Sequence, residues 1–246
     1  MKGYSSKAKP TTSPTPLPSV TPRPTPSVVP PPSTFTPVPT SLPTHIPPAT
    51  SSAPPASPVG WPPLLVDTFD ANTNNWPVNN AADEWGSLER AISDGIYRWH
   101  VTARRSVGRW CTPDDARAQD FYLAVDARRV SGPEDADYGL VFRHTEGSYY
   151  LFSIRDNGYY RFNLWHEFAW TPVIDWTQTT VIRAGEVNHL VVVGQGITFT
   201  FSINAVEVAV AGDAQFSEGE VGLAVALTTP GDALFEFDNF ELREPR

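Results

Sequence analysis

Between Gly139 and Trp165 the chain reads GLVFRHTEGSYYLFSIRDNGYYRFNLW. Alternation with period two sends Tyr150, Phe152, Ile154, Tyr160, Phe162 and Leu164 to one side. The other side receives Arg143, Tyr149, Ser153, Arg155, Tyr159, Arg161, Asn163 and Trp165. Aromatic rings stack on the C–H faces of sugars, and Arg and Asn supply planar donors and acceptors for hydroxyl groups. Arg143, Tyr149, Arg155, Tyr159, Arg161, Asn163 and Trp165 are therefore the candidate ligand face. The competing reading is an ordinary sheet surface, with the arginines paired to carboxylates and the tyrosines in cross-strand pairs.

A second set of groups capable of chemistry lies near the end of the chain, in Glu236-Phe-Asp238-Asn-Phe-Glu241. Strand alternation places Glu236 and Asp238 on one face, the pairing that a nucleophile and a general acid require. The aromatic neighbours Phe237 and Phe240 read as core, and Asp238-Asn239 as a bulge or edge. The histidines do not cluster at zinc-ligand spacing. The single cysteine, Cys111, excludes an internal disulfide and has no His or Asp pattern beside it that would make it a nucleophile. No glycine loop for phosphate is present.

The elements that must position these groups occupy only part of the 246 residues. Residues 1–63 hold 20 of the 26 prolines, no acidic residue and four basic ones. Such a segment buries too little apolar surface to offset its ordering entropy, and its prolines favour an extended, semi-rigid spacer. From residue 64 onward the chain carries 14 Arg, no Lys and all 27 acidic residues, a net charge of −13. That charge argues against nucleic acid and anionic lipid as partners. About 180 residues suffice for one buried core. No apolar run is long enough to span a bilayer, so direct membrane insertion is not expected. The opening MKGYSSKAKP has no apolar stretch of the signal-peptide kind. Two expectations follow: the chain is a piece of a longer protein with its signal or membrane anchor upstream, or it stays inside the cell.

Period two dominates from Leu64. Strands are expected over 64–69, 95–103, 120–130, the three segments between 137 and 165, 188–194, 197–203, 206–212, 220–227 and 233–242. Asp156-Asn157-Gly158 and Gly194-Gln195-Gly196 are hairpin signals. The expected fold class is all-β, an antiparallel sandwich or jelly roll over 64–246 behind the Pro/Thr/Ser-rich linker.

LVDTFDANTNNW, DYGLVFRHTEGSYYLFSIRDNGYY, SEGEVGLAVAL and FEFDNFEL follow one another in an order that resembles concanavalin A-like, laminin-G-like jelly rolls. The nearest likeness is to the accessory domain of exo-inulinase and to the 3-keto-disaccharide hydrolase type. The resemblance covers about residues 64–244 and specifies architecture better than activity. It implies a sheet face as ligand surface, with carbohydrate as the partner and a protein partner as the alternative. It also implies a structural Ca²⁺ near the first and last strands, with Asp67 and Asp238 as ligands and Asp70 nearby; carboxylate oxygens suit that ion. Glu236, Asp238 and Glu241 match the E-x-D-x-x-E spelling of a retaining β-glucanase family with this fold. They stand at the end of the chain, where non-catalytic relatives carry a similar closing strand. One departure is Asn204-Ala205, where such domains often have Asn-Gly; Ala accepts positive φ less readily, which predicts a longer or differently shaped turn. The functional expectation is a non-catalytic, glycan-binding module on a stalk, extracellular or at a bacterial cell surface. The alternatives are a jelly-roll glycoside hydrolase and a structural or sensory protein-interaction module.

Overall fold

The computed structural model describes residues 60–245. The predicted linker lies outside them except for its last four residues, and the first strand opens at Pro63. Among the described residues there are sixteen strands and no helix. They are β1 (Pro63–Asp67), β2 (Asn80–Ala82), β3 (Gly86–Ser93), β4 (Ile96–Ala103), β5 (Val107–Cys111), β6 (Arg117–Ala118), β7 (Phe121–Ser131) and β8 (Asp137–Thr145). The rest are β9 (Ser148–Arg155), β10 (Tyr159–His166), β11 (Ala169–Gln178), β12 (Asn188–Gln195), β13 (Thr198–Ile203), β14 (Val206–Gly212), β15 (Gly219–Leu227) and β16 (Gly231–Arg243).

They form two antiparallel sheets, as the period-two pattern requires. One runs β14-β13-β12-β7-β16-β4-β3-β2, with β1 added against the end of β16. The other runs β11-β10-β9-β8-β15-β5, with β6 added against β15. The sandwich core lies between the sheets. Phe142, Tyr150, Phe152 and Phe162 of the second sheet meet Phe199 and Phe201 of the first, with ring centroids 4.8–5.8 Å apart. Trp76, Tyr97, Trp99, Phe237 and Phe240 fill the other end and are buried. Each such side chain contributes about 1.5–3 kcal/mol on burial.

One local expectation changes. The Asn204-Ala205 turn is neither longer nor irregular. β13 ends at Ile203 and β14 begins at Val206, and both turn residues take positive φ, 51° and 69°. Ala205 thus accepts a left-handed conformation that suits glycine better. Asn204 offsets part of that strain: its side-chain oxygen accepts from His189 N, and its amide nitrogen donates to Val181 O and Asn188 Oδ1. At the other end of the fold, Asp67 is held as a turn acceptor. Its carboxylate receives Phe69 N, Asn74 Nδ2 and Trp76 Nε1, each at 2.8 Å. Asp238 accepts from Asn239 N at 2.7 Å. Among the described residues no group of three or more His, Cys, Asp or Glu side chains that could hold a metal ion is found.

Candidate functional site

The site is built on the outer face of the seven-stranded sheet, and strand register explains its shape. Residues in register on one face of a sheet stand side by side. One cross-strand row runs Trp110, Ala224, Gly139, Ser153, Arg161 over β5, β15, β8, β9 and β10. A parallel row brings Gly108, Ala226 and Asp137 into line. A third places Tyr149 beside Trp165 and Trp165 beside Trp170. The middle strands therefore present Gly139, Ala224 and Ala226, while the flanking strands present tall rings. Small residues between tall ones leave a cleft.

Two adjoining hollows, about 250 and about 300 Å³, make up this cleft and share Gly108, Trp110, Tyr149 and Trp170 as walls. Asp137 and Arg161 close the first, and Trp165 borders the second. Tyr149 is flanked by Trp110 at 5.9 Å and Trp170 at 5.8 Å, and Trp170 by Trp165 at 5.0 Å, centroid to centroid. Beneath Tyr149, Val141, Leu151 and Ala224 form a small buried apolar cluster that fixes the floor. Burial pushes the Tyr149 phenol up to about 12, so it stays a neutral hydroxyl at physiological pH. Trp110 also packs on His144 at 4.1 Å, whose Nδ1 lies 2.9 Å from Glu220.

The polar end of the cleft is an ionic triad. Asp137 is buried to 1% exposure. It accepts Arg155 Nε at 2.5 Å on one oxygen and Arg161 Nη2 at 2.6 Å on the other. Burial pushes the Asp137 carboxyl up, against the downward pull of Arg161 and Arg155. Trp176 of β11 covers both guanidiniums, 3.7 Å from Arg155 and 4.4 Å from Arg161. Arg161 also lies 5.6 Å from the Trp170 ring. Asn163 is buried under this group. With its amide oxygen turned to Arg161 it accepts Nη1 at 3.1 Å and Nε at 3.2 Å.

The structure thus brings Tyr149, Arg155, Arg161, Asn163 and Trp165 to one face. Tyr159 is on that face, opposite Arg155 in register, but does not line the cleft. Arg143 is a correction. The pairing of β8 and β9 shifts register after Phe142, and Arg143 takes a positive φ of 49°. Its side chain turns inward and is fully buried. There it donates to Phe216 O, Gln119 O and Gly196 O at 2.6–3.0 Å and lies 4.7 Å from the Phe199 ring. Parity fails at a bulge because the extra residue reverses the alternation.

Trp110, Trp170, Trp176 and Asp137 are the site residues that the sequence reading missed. For the three tryptophans the signal was their density in segments with no assigned place in the core. The terminal carboxylates lie on the opposite sheet. Glu236 and Asp238 do share a face and border a hollow of about 100 Å³. Burial would raise the Glu236 carboxyl, but Arg128 and Arg98 hydrogen-bond it and hold it below its ordinary value. A carboxylate so held is a poor proton donor. The register shift between Asp238 and Glu241 is the bulge expected there, and Glu241 pairs with Arg243.

No protein-family model matches the sequence, and no curated protein matches it. Solved structures do share the fold. A GlcNAcα1-4Gal-releasing endo-β-galactosidase from Clostridium perfringens aligns over 80% of this chain and 66% of its own, at 10% identity and a TM-score of 0.54. The catalytic domain of an endo-1,3-β-glucanase (laminarinase) from Thermotoga petrophila RKU-1 aligns over 76% and 98%, at 8% identity and 0.50. The carbohydrate-binding module CBM66 from Bacillus subtilis aligns over 68% and 92%, at 20% identity and 0.47. The first two are likenesses of fold, and the fold is the concanavalin-like sandwich.

Proposed function

We propose that the domain is a non-catalytic glycan-binding module, and that the aromatic cleft on the seven-stranded sheet is its binding site. The carrying observation is the convergence of Trp110, Tyr149 and Trp170 with Asp137 and Arg161 around one open cleft. Rings stack on sugar faces, and the carboxylate and guanidinium address hydroxyls. The two fold neighbours with the higher TM-scores are named for action on glycans, which supports a carbohydrate ligand. Turnover is the less favoured reading. Among the described residues Asp137 is the sole carboxylate lining the cleft, and it is tied to two arginines, whereas glycoside hydrolysis ordinarily uses a pair. The Pro/Thr/Ser-rich segment supports display on a stalk at a cell surface or in a secreted protein, where tethering raises effective concentration. Kinship with the exo-inulinase accessory domain is part of the same reading.

The test is binding of the full chain to a broad glycan array, beside variants W110A and W170A. Reproducible binding to one sugar class, lost by at least tenfold in both variants with unchanged melting, is the expected result. Binding that survives both substitutions would move the site elsewhere. Release of reducing sugar from the bound glycan would turn the reading to an enzyme.

A further inference from the structure

We infer that the cleft holds two consecutive sugars of one glycan chain, with their ring planes turned against each other. It therefore prefers a soluble, bent chain to a monosaccharide and to a flat crystalline polysaccharide. This rests on the glycan-binding reading and deepens it.

The first observation is how the space is divided. The cleft consists of two hollows, about 250 and about 300 Å³. Sites for drug-sized ligands begin at about 300 Å³, so each hollow is of a size for one sugar ring. The two are unlike. Asp137, Arg161 and Thr228 give the first a polar wall, whereas the second has Trp165 and Gly147 and no charged side chain. Gly108 of β5 lines both and keeps the way between them open. A Cβ placed on it would meet no atom within 4 Å. Two unlike hollows in open communication fit two joined units of a chain.

The second observation is the angle between the rings. Stacking requires the aromatic face and the sugar face to lie parallel. Trp110 and Tyr149 are inclined by 49°, Tyr149 and Trp170 by 82°, and Trp165 and Trp170 by 55°. A crystalline polysaccharide surface presents its sugar faces in one plane, and only coplanar rings could share it. Consecutive sugars of a turned chain present faces in different planes, and inclined rings can serve both.

Tyr149, a wall of both hollows, adds a polar group between them. Four other tyrosines of the fold, Tyr97, Tyr138, Tyr150 and Tyr160, donate their hydroxyls to protein acceptors. The Tyr149 hydroxyl stays neutral through burial and has no protein acceptor among the described residues. It is left to bond a ligand that passes from one hollow to the other.

The experiment titrates the full chain with mono-, di- and trisaccharides of each sugar class on the array, a straight, ribbon-like linkage beside a turned one. Microcrystalline cellulose and chitin serve as the flat surfaces in sedimentation. The expected result is a turned disaccharide bound about tenfold or more tighter than its monosaccharide, with a third sugar adding less than about threefold. The straight-linked partner should bind more weakly, and the chain should stay in solution over both fibres. G108L, checked for an unchanged melt, fills the passage and should remove the disaccharide's advantage. If G108L does not fold, the length and linkage series on the unaltered chain still decide. Monosaccharide bound as tightly as disaccharide, equal affinity for straight and turned linkages, sedimentation with the fibres, or an advantage that survives in folded G108L would overturn the inference and leave the glycan-binding reading standing. No binding to any glycan would overturn both.

Discussion

Arg143 and Arg161 are the same residue type on one sheet, and they do opposite jobs because of one bulge. Arg161 keeps the strand alternation and faces the cleft. Arg143 falls at the register shift and becomes an internal clamp whose guanidinium ties the carbonyls of Gln119, Gly196 and Phe216, from three separate connections. Buried carbonyls left without donors cost about 1–3 kcal/mol each, while removing the guanidinium relieves its desolvation. The first effect is larger, since three acceptors are involved. R143M should therefore destabilise the domain by about 3 kcal/mol in urea unfolding and leave glycan affinity unchanged in the fraction that folds. A large affinity loss with normal stability would return Arg143 to the ligand face. The burial of this residue was not legible in the sequence, because nothing in RHTEGS marks where the alternation breaks.

At the scale of elements, the strands of the sandwich that alternate cleanly were readable, and those that do not were missed. β11 is ten residues long but carries Pro172 and two shifts of register against β10, so its period-two signal is blurred. β5 is only five residues. These two strands bring Trp110, Trp170 and Trp176, which is why half of the aromatic cleft was invisible while Tyr149, Arg161 and Trp165 were not. The hairpin joining β10 and β11 repeats the lesson of Ala205. Glu167 and Phe168 take φ of 49° and 62° without glycine, so the residue types gave no turn signal. On the other sheet, β16 shows a pairing that alternation predicted and geometry reinterprets. Glu236 joins Arg98 of β4 to Arg128 of β7 and so pins three adjacent strands. Its carboxyl is depressed in the folded state, so its stabilisation is present above the ordinary glutamate pKa. It is lost as pH falls through the lower, folded value. E236Q should cost about 1 kcal/mol at neutral pH, given the partial exposure of both arginines, and the two proteins should converge in strongly acidic solution. Parallel urea titrations over pH check this; a constant gap down to acid pH would assign the effect to packing.

The whole molecule divides its labour between two faces and one shared core. On the nine-stranded sheet Glu236 is paired with two arginines and Asp126 with His189 and Asn239, whereas the seven-stranded sheet carries the open cleft. Both sheets bury the same aromatic cluster, so neither face can unfold without exposing Phe142, Phe162, Phe199 and Phe201 to water. A ligand that holds β5, β9, β10 and β11 together should then stabilise the entire sandwich and not one sheet alone. Linkage sets the size: at a hundredfold excess over Kd, binding to the folded state adds about 2.7 kcal/mol. For a domain of this length each 1 kcal/mol moves Tm by about 2–4 °C, so the expected rise is about 5–10 °C. The transition should stay single and cooperative. Near-ultraviolet circular dichroism during the melt separates the cases, because Trp76 and Trp99 report the core while Trp110 and Trp170 report the cleft. A ligand that shifts both signals together supports one cooperative sandwich built around the site. A shift confined to the cleft signal would mean that the seven-stranded sheet melts on its own, against the shared core described above.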